Sequence, residues 1–203
     1  MEQGKIIAIT GGPRTGKSTL VKFLFERLGA VPFFEGEEKD FPPRIIENIK
    51  SGKNLLELML WFRNKIISDY LRALELKKSG RIAILDTFLP TNDIYIEEWM
   101  PAGFEKECVK EMAAIDEKFL PWPDLVVALA SDEETIRRFI VKGGRSFEQD
   151  EDYIKKQIAL NKAHTDYFKK LDKPNIQFVS VADINYESSE KMDELVGQIK
   201  GWL

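Results

Sequence analysis

The nine residues Gly11 to Thr19, reading GGPRTGKST, constrain this chain more than any other stretch. Gly11, Gly16, Lys17 and Ser18 fill the fixed positions of the pattern G-x-x-x-x-G-K-[ST]. Before them stands Lys5-Ile-Ile-Ala-Ile-Thr10, a β-branched run of buried-strand length, and after them Leu20, Phe23, Leu24 and Leu28 recur at helical spacing. Strand, glycine loop and helix therefore arrive in the order of a phosphate-binding loop. The loop amides and the helix start aim N–H groups and a positive dipole end at an anion, and glycine lets the backbone wrap closely. Gly11, Gly12, Pro13, Arg14, Thr15, Gly16 and Thr19 would cradle the phosphates. Lys17 would reach the β- and γ-phosphates, and the Ser18 hydroxyl would ligate Mg²⁺. The expected ligand is a nucleoside triphosphate, ATP, with Mg²⁺.

With 203 residues, 43% of them hydrophobic, the chain can bury a proper core and reads as one α/β domain over 1–203. A net charge of −4 with both signs interspersed argues against nonspecific nucleic-acid binding. Cys108 is the single cysteine, which forbids an internal disulfide and fits a reducing cytoplasm. No signal-peptide pattern precedes the first strand and no apolar run reaches membrane-spanning length, so no membrane partner is expected.

Further along, Val31 to Phe34 reads as a second strand ending at Glu35, and Arg44 to Lys50 as a short helix closed by Ser51-Gly52. Asn54 is placed to cap a long helix to about Lys78, with Leu55, Met59, Phe62, Ile66, Tyr70 and Ala73 as its inward stripe. Arg63, in that apolar surrounding, calls for a partner or a ligand. The third strand, Arg81 to Leu85, is hydrophobic throughout and ends at Asp86. A carboxylate at the C-terminal end of a central strand is a candidate for Mg²⁺ coordination beside a phosphate loop; the alternative is a cap of the next turn. Helices follow over 92–100 and 104–119, then a strand ending at Ala130, with Ser131 and Glu134 offering a capping box. The next helix carries Arg137, Arg138 and Lys142 into Gly143-Gly-Arg-Ser-Phe-Glu148, a basic glycine-containing segment that suits either a lid over phosphates or a solvated loop between two helices. A helix from Glu151 to Leu171 places His164 among core residues as a structural histidine, and a fifth strand over 176–181 precedes a closing helix. Strands alternating with helices give a doubly wound parallel sheet of five strands, a P-loop NTPase three-layer α/β sandwich with a helical lid at about 138–150.

These stations resemble the deoxynucleoside kinase family, P-loop kinases of the thymidylate kinase-like superfamily that phosphorylate the 5′-hydroxyl of deoxynucleosides. Phe33-Phe34-Glu35 is similar to the family strand that ends in a general-base glutamate. Asp86-Thr87-Phe88 is similar to its acidic-Arg-Ser motif, and Lys142-Gly-Gly-Arg-Ser-Phe-Glu148 to its Arg-Gly-Arg-x-x-Glu lid. The resemblance implies that Glu35 takes the 5′-hydroxyl proton, and that Lys17 and Arg145 neutralise the transferring phosphoryl. It further implies that Ser18 and Asp86 hold Mg²⁺ and that Glu148 binds the sugar 3′-hydroxyl; Arg138 and Lys142, on the basic segment, are candidates to face the nucleotide. The chain departs from the family at Thr87 and Gly143, where arginines are usual. It departs again at Leu56, seven residues before Arg63, where the family carries a base-reading glutamine. Glu57 or Arg63 could read a base instead.

The function expected is transfer of the ATP γ-phosphoryl group to a (deoxy)nucleoside. Two alternatives stand beside it: a nucleoside monophosphate kinase, with Arg44 and Arg63 clamping the acceptor phosphate, and a regulatory NTPase. The partner expected is a small-molecule nucleoside or nucleotide. The apolar helices around Trp61 and Trp99 suit either a homodimer interface or core packing.

Overall fold

Alternation along the strands decides the architecture. The computed structural model describes residues 4–36, 38–143, 150–171 and 173–203. Five parallel strands, β1 (Lys5–Thr10), β2 (Val31–Phe33), β3 (Ile82–Leu85), β4 (Leu125–Ala130) and β5 (Ile176–Ser180), form one sheet in the order β2-β3-β1-β4-β5. Registers such as Ile7↔Ile84 and Ala8↔Val126 bring the C-terminal ends of β1, β3 and β4 to one edge.

Among the described residues eight α-helices flank this sheet: α1 (Lys17–Leu28), α2 (Pro43–Ser51), α3 (Leu55–Lys78), α4 (Leu89–Trp99), α5 (Phe104–Phe119), α6 (Glu133–Gly143), α7 (Glu151–Lys170) and α8 (Ser189–Gly201). Ile7, Ile9, Ile84, Val127 and Leu129 bury one face under Leu20 and Leu24 of α1 and Met192 and Ile199 of α8. Ile6, Ala8, Leu85 and Val126 bury the other under Ile66 and Tyr70 of α3, Ile94 of α4 and Leu160 and Phe168 of α7. Both faces are covered, which is why these strands read as unbroken hydrophobic runs. The expected three-layer α/β sandwich is the observed fold. A third cluster, with Ile45, Leu58, Met59, Ile96 and Val109, ties α2 and α5 to α3 and α4 beyond the sheet edge.

Several local expectations are corrected. The helix expected from Asn92 begins at Leu89, because Pro90 sits in its first turn, where a missing N–H costs nothing. Asn54 precedes α3 as foreseen but caps no amide; it adopts φ 49° and its side chain donates to Asn48 Oδ1 at 3.0 Å. The cap of α6 is Asp132, whose carboxylate accepts from Thr135 N at 2.7 Å, and the hydroxyl of Ser131 is buried without a partner. Asp150 caps α7, accepting from the amides of Asp152 and Tyr153.

Candidate active site

The phosphate loop joins β1 to α1. Gly11, Gly16 and also Arg14 take positive φ, at 152°, 82° and 62°. No side chain caps α1 and no acid stands in its first turn, so its leading amides are left to an anion. The Thr15 hydroxyl donates to Gly12 O at 2.9 Å, and Lys17 Nζ donates to the carbonyls of Gly11 and Gly12, both at 3.0 Å. Its ammonium is thereby held across the loop.

Two carboxylates converge on this loop from neighbouring strand ends. Asp86 follows β3, and its amide donates to Phe33 O at 2.9 Å, prolonging the β2–β3 ladder to the point where Asp86 emerges. Its Oδ2 accepts from the Ser18 hydroxyl at 2.7 Å, whereas Oδ1 is buried without a partner. That interaction, rather than a cap of the following turn, occupies Asp86. Burial pushes its carboxyl up, while Lys17 and the Ser18 hydrogen bond pull it down. Glu35 lies two residues past β2. Burial likewise raises its carboxyl, with Lys17 opposing and the Asp86 charge adding to the rise. Among the described residues no three His, Cys, Asp or Glu side chains gather as a metal site. A serine hydroxyl beside a buried carboxylate with a spare oxygen does suit Mg²⁺, which takes few protein ligands and keeps waters and phosphate oxygens.

On its other side Glu35 borders a cavity of about 90 Å³. Met59, Phe62 and Ile66 of α3 and Tyr95 and Trp99 of α4 make its walls apolar, and Thr91 and Asn92 add polar groups. Burial, then the Glu35 charge, raises the Tyr95 phenol, so it stays a neutral hydrogen-bond donor. Thr91, Asn92 and Tyr95 were missed in the sequence because it shows neither that α4 begins at Leu89 nor that this face of it borders the cavity.

Other expected site residues are engaged elsewhere. Arg63 forks Asp116 through Nε and Nη2, both at 2.6 Å, and Glu57 accepts from Arg44 at 2.8 Å and Asn48 at 3.0 Å. Neither Arg63 nor Glu57 lines the cavity. Lys142 pairs with Glu187, and the guanidinium of Arg138 lies 5.6 Å from the Phe139 ring. Thr87, in the family's arginine position, is buried with an unpartnered hydroxyl. Arg145 and Glu148 lie outside the described residues. His164 is buried as foreseen, but neither ring nitrogen has a hydrogen-bond partner; its ring meets Tyr95 edge-on at 5.9 Å.

A family model described as AAA domain matches residues 6–137. No curated protein matches the chain. Among solved structures, the deoxyadenosine kinase of M. mycoides with products dCMP and a flexible dCDP is similar at a TM-score of 0.73 and 18% identity, covering 97% of this chain and 99% of that one. The same enzyme with bound dATP gives 0.69 and with bound dCTP 0.71, each at 20% identity and the same coverage. These likenesses bear out the expected P-loop kinase fold along nearly the whole chain.

Proposed function

Because the chain belongs to the AAA domain family, matched over residues 6–137, we propose that its phosphate loop serves phosphoryl transfer from ATP to the 5′-hydroxyl of a (deoxy)nucleoside. One observation carries the reading. A carboxylate of raised pKa, Glu35, stands between the phosphate-loop lysine and an apolar cavity bordered by neutral hydrogen-bonding groups. A base poised above the ordinary carboxylate range is what a neutral hydroxyl acceptor needs.

In this reading the acceptor body occupies the cavity against Phe62, Tyr95 and Trp99, with Asn92 offering an amide to its polar edge. Glu35 accepts the hydroxyl proton as the new oxygen–phosphorus bond forms and the bond from the γ-phosphorus to the β-phosphate oxygen breaks. Lys17 exchanges its loop carbonyls for the phosphates, and Arg138, Lys142 and Arg145 approach as the lid over 138–150 closes, with Glu148 on the sugar. Ser18 and Asp86 hold Mg²⁺, which when bound offsets phosphate charge. Positioning and charge neutralisation of this kind supply most of the rate in phosphoryl transfer. A monophosphate acceptor is disfavoured, since Arg44 and Arg63, the cations suited to clamping its phosphate, are paired with Glu57 and Asp116.

The test is transfer of labelled γ-phosphate from ATP with Mg²⁺ to a panel of nucleosides, deoxynucleosides and their monophosphates. A labelled monophosphate is the expected product. A labelled diphosphate would move the acceptor to the monophosphates, and hydrolysis with no labelled acceptor would overturn the kinase reading in favour of a regulatory NTPase.

A further inference from the structure

We propose that Asn161 of α7 and Tyr186, ahead of α8, are positioning residues that clasp the phosphate loop from its two flanks and preset its anion-receiving shape. The proposal rests on the loop binding a nucleotide, and not on which acceptor is phosphorylated.

Two carbonyls of the loop are taken by side chains from outside it. Asn161 Nδ2 donates to Pro13 O at 3.0 Å, and the Tyr186 hydroxyl donates to Thr15 O at 3.0 Å. A trans peptide carries its C=O and N–H on opposite sides. Fixing the Pro13 carbonyl toward α7 therefore turns the Arg14 amide away from α7, and fixing the Thr15 carbonyl toward Tyr186 turns the Gly16 amide away from Tyr186. These are loop amides of the kind an anion uses. The φ of 82° at Gly16 is one that glycine adopts freely, but the backbone between the two holds is strained at Arg14, which sits at φ 62°, unusual for a residue with a side chain. Such a conformation persists only when its surroundings impose it.

The Asn161 hold is fixed in place. Asn161 is 2% exposed, and its amide nitrogen also donates to Gln157 O at 2.9 Å, which fixes the side chain to its own helix. Its Oδ1 is buried without a partner, a cost that better-packed apolar residues would avoid. The close fit also explains two glycines. A Cβ on Gly12 would lie 2.4 Å from Asn161 Cγ and Oδ1, and one on Gly16 would lie 2.4 Å from the Tyr186 hydroxyl oxygen. The phosphate-loop pattern requires glycine at position 16 but leaves position 12 open. Asn161 closes it.

The test uses the full chain and reads ATP affinity with Mg²⁺ by calorimetric titration, alongside the thermal midpoint and γ-phosphoryl transfer. Tyr186→Phe and Asn161→Leu keep the bulk and remove the donors; each should weaken ATP binding roughly tenfold with a smaller change in the thermal midpoint. Gly12→Ala should weaken binding more than either, and adding Asn161→Ala to it should recover at least part of that loss by removing the obstructing side chain. Should Asn161→Leu fail to fold, Tyr186→Phe and the Gly12/Asn161 pair still decide. Unchanged ATP affinity in Tyr186→Phe and Asn161→Leu, or a double variant that binds no better than Gly12→Ala alone, would overturn the clasp. A wild type that binds ATP but labels no acceptor would sink the kinase reading and leave this test standing.

Discussion

The Ser18 hydroxyl donates to Asp86 Oδ2 at 2.7 Å and so joins the start of α1 to the end of β3, while the second oxygen of Asp86 stays buried and unpartnered. A carboxylate in that setting costs stability unless a cation or water meets it. Asp86→Asn should therefore raise the Mg²⁺ concentration needed for half-maximal phosphoryl transfer by roughly tenfold or more, while leaving the thermal midpoint without Mg²⁺ unchanged or higher. Ser18→Ala should raise the same requirement. Mg²⁺ titrations of activity that overlay the wild type would remove the pair from the metal site.

In the proposed function the acceptor chemistry rests on Glu35. Glu35→Gln keeps the size and hydrogen-bonding reach but cannot take a proton, and kcat should fall by roughly two orders of magnitude or more. ATP affinity should hold. Because burial lifts the Glu35 carboxyl above its ordinary value, kcat/KM should fall as pH drops, with an acid limb above the usual carboxylate range. A limb that persists in Glu35→Gln belongs to another group, with Asp86, also raised, the first to examine.

The phosphate loop, the sheet and the strand-end acids were legible because each is written locally. Gly11 to Thr19 form a contiguous pattern, and β-branched runs ending at Glu35 and Asp86 announce where parallel strands deliver carboxylates. Contacts between distant elements were not legible. Asp116 lies 53 residues from Arg63, and Asn161 lies 148 from Pro13, so no spacing rule could pair them. Helix starts were misplaced where two candidate caps adjoined: Asp132 outcompeted Ser131 because its carboxylate reaches the Thr135 amide. Leu56, where the resembled family carries a glutamine, gave no positive signal, and the cavity walls come from Thr91, Asn92, Tyr95 and Trp99 of α4, whose packing against α3 no local pattern announces.

Arg63 and Asp116 offer a clean separation of structural from substrate roles. The bidentate pair is largely buried, with side chains 19% and 10% exposed. Removing one partner strands the other charge, and Arg63→Met or Asp116→Leu should each cost about 2–4 kcal/mol in unfolding free energy. The double variant should lose less than the sum of the two, as expected for residues in contact. An Arg63→Met protein that keeps its stability but loses acceptor affinity would return Arg63 to the acceptor site.

His164 gives the stability curve a dependence on pH whose sign follows from its surroundings. Burial, then the Lys17 charge, lowers its pKa from the ordinary 6.5 to about 3. Between those values the unfolded chain binds a proton that the folded chain does not, so the His164 contribution makes folding less stable as pH falls below 6.5. Asp93 acts in the opposite sense. Burial, then Glu117, raises its carboxyl to about 7, so the folded chain holds a proton the unfolded chain has lost, and that stability drains away as pH rises from about 4 toward 7. The two slopes offset each other in the wild type across the same window, and single variants should expose them. Relative to wild type, His164→Leu should gain about 1.4 kcal/mol per pH unit as pH falls from 6.5 to 4.5, and Asp93→Asn should gain as pH rises over the same range. Chemical denaturation at pH 4.5, 5.5 and 6.5 measures both differences. A His164→Leu difference that does not change with pH would mean that the folded chain takes up the same proton as the unfolded chain, so that burial does not hold His164 neutral.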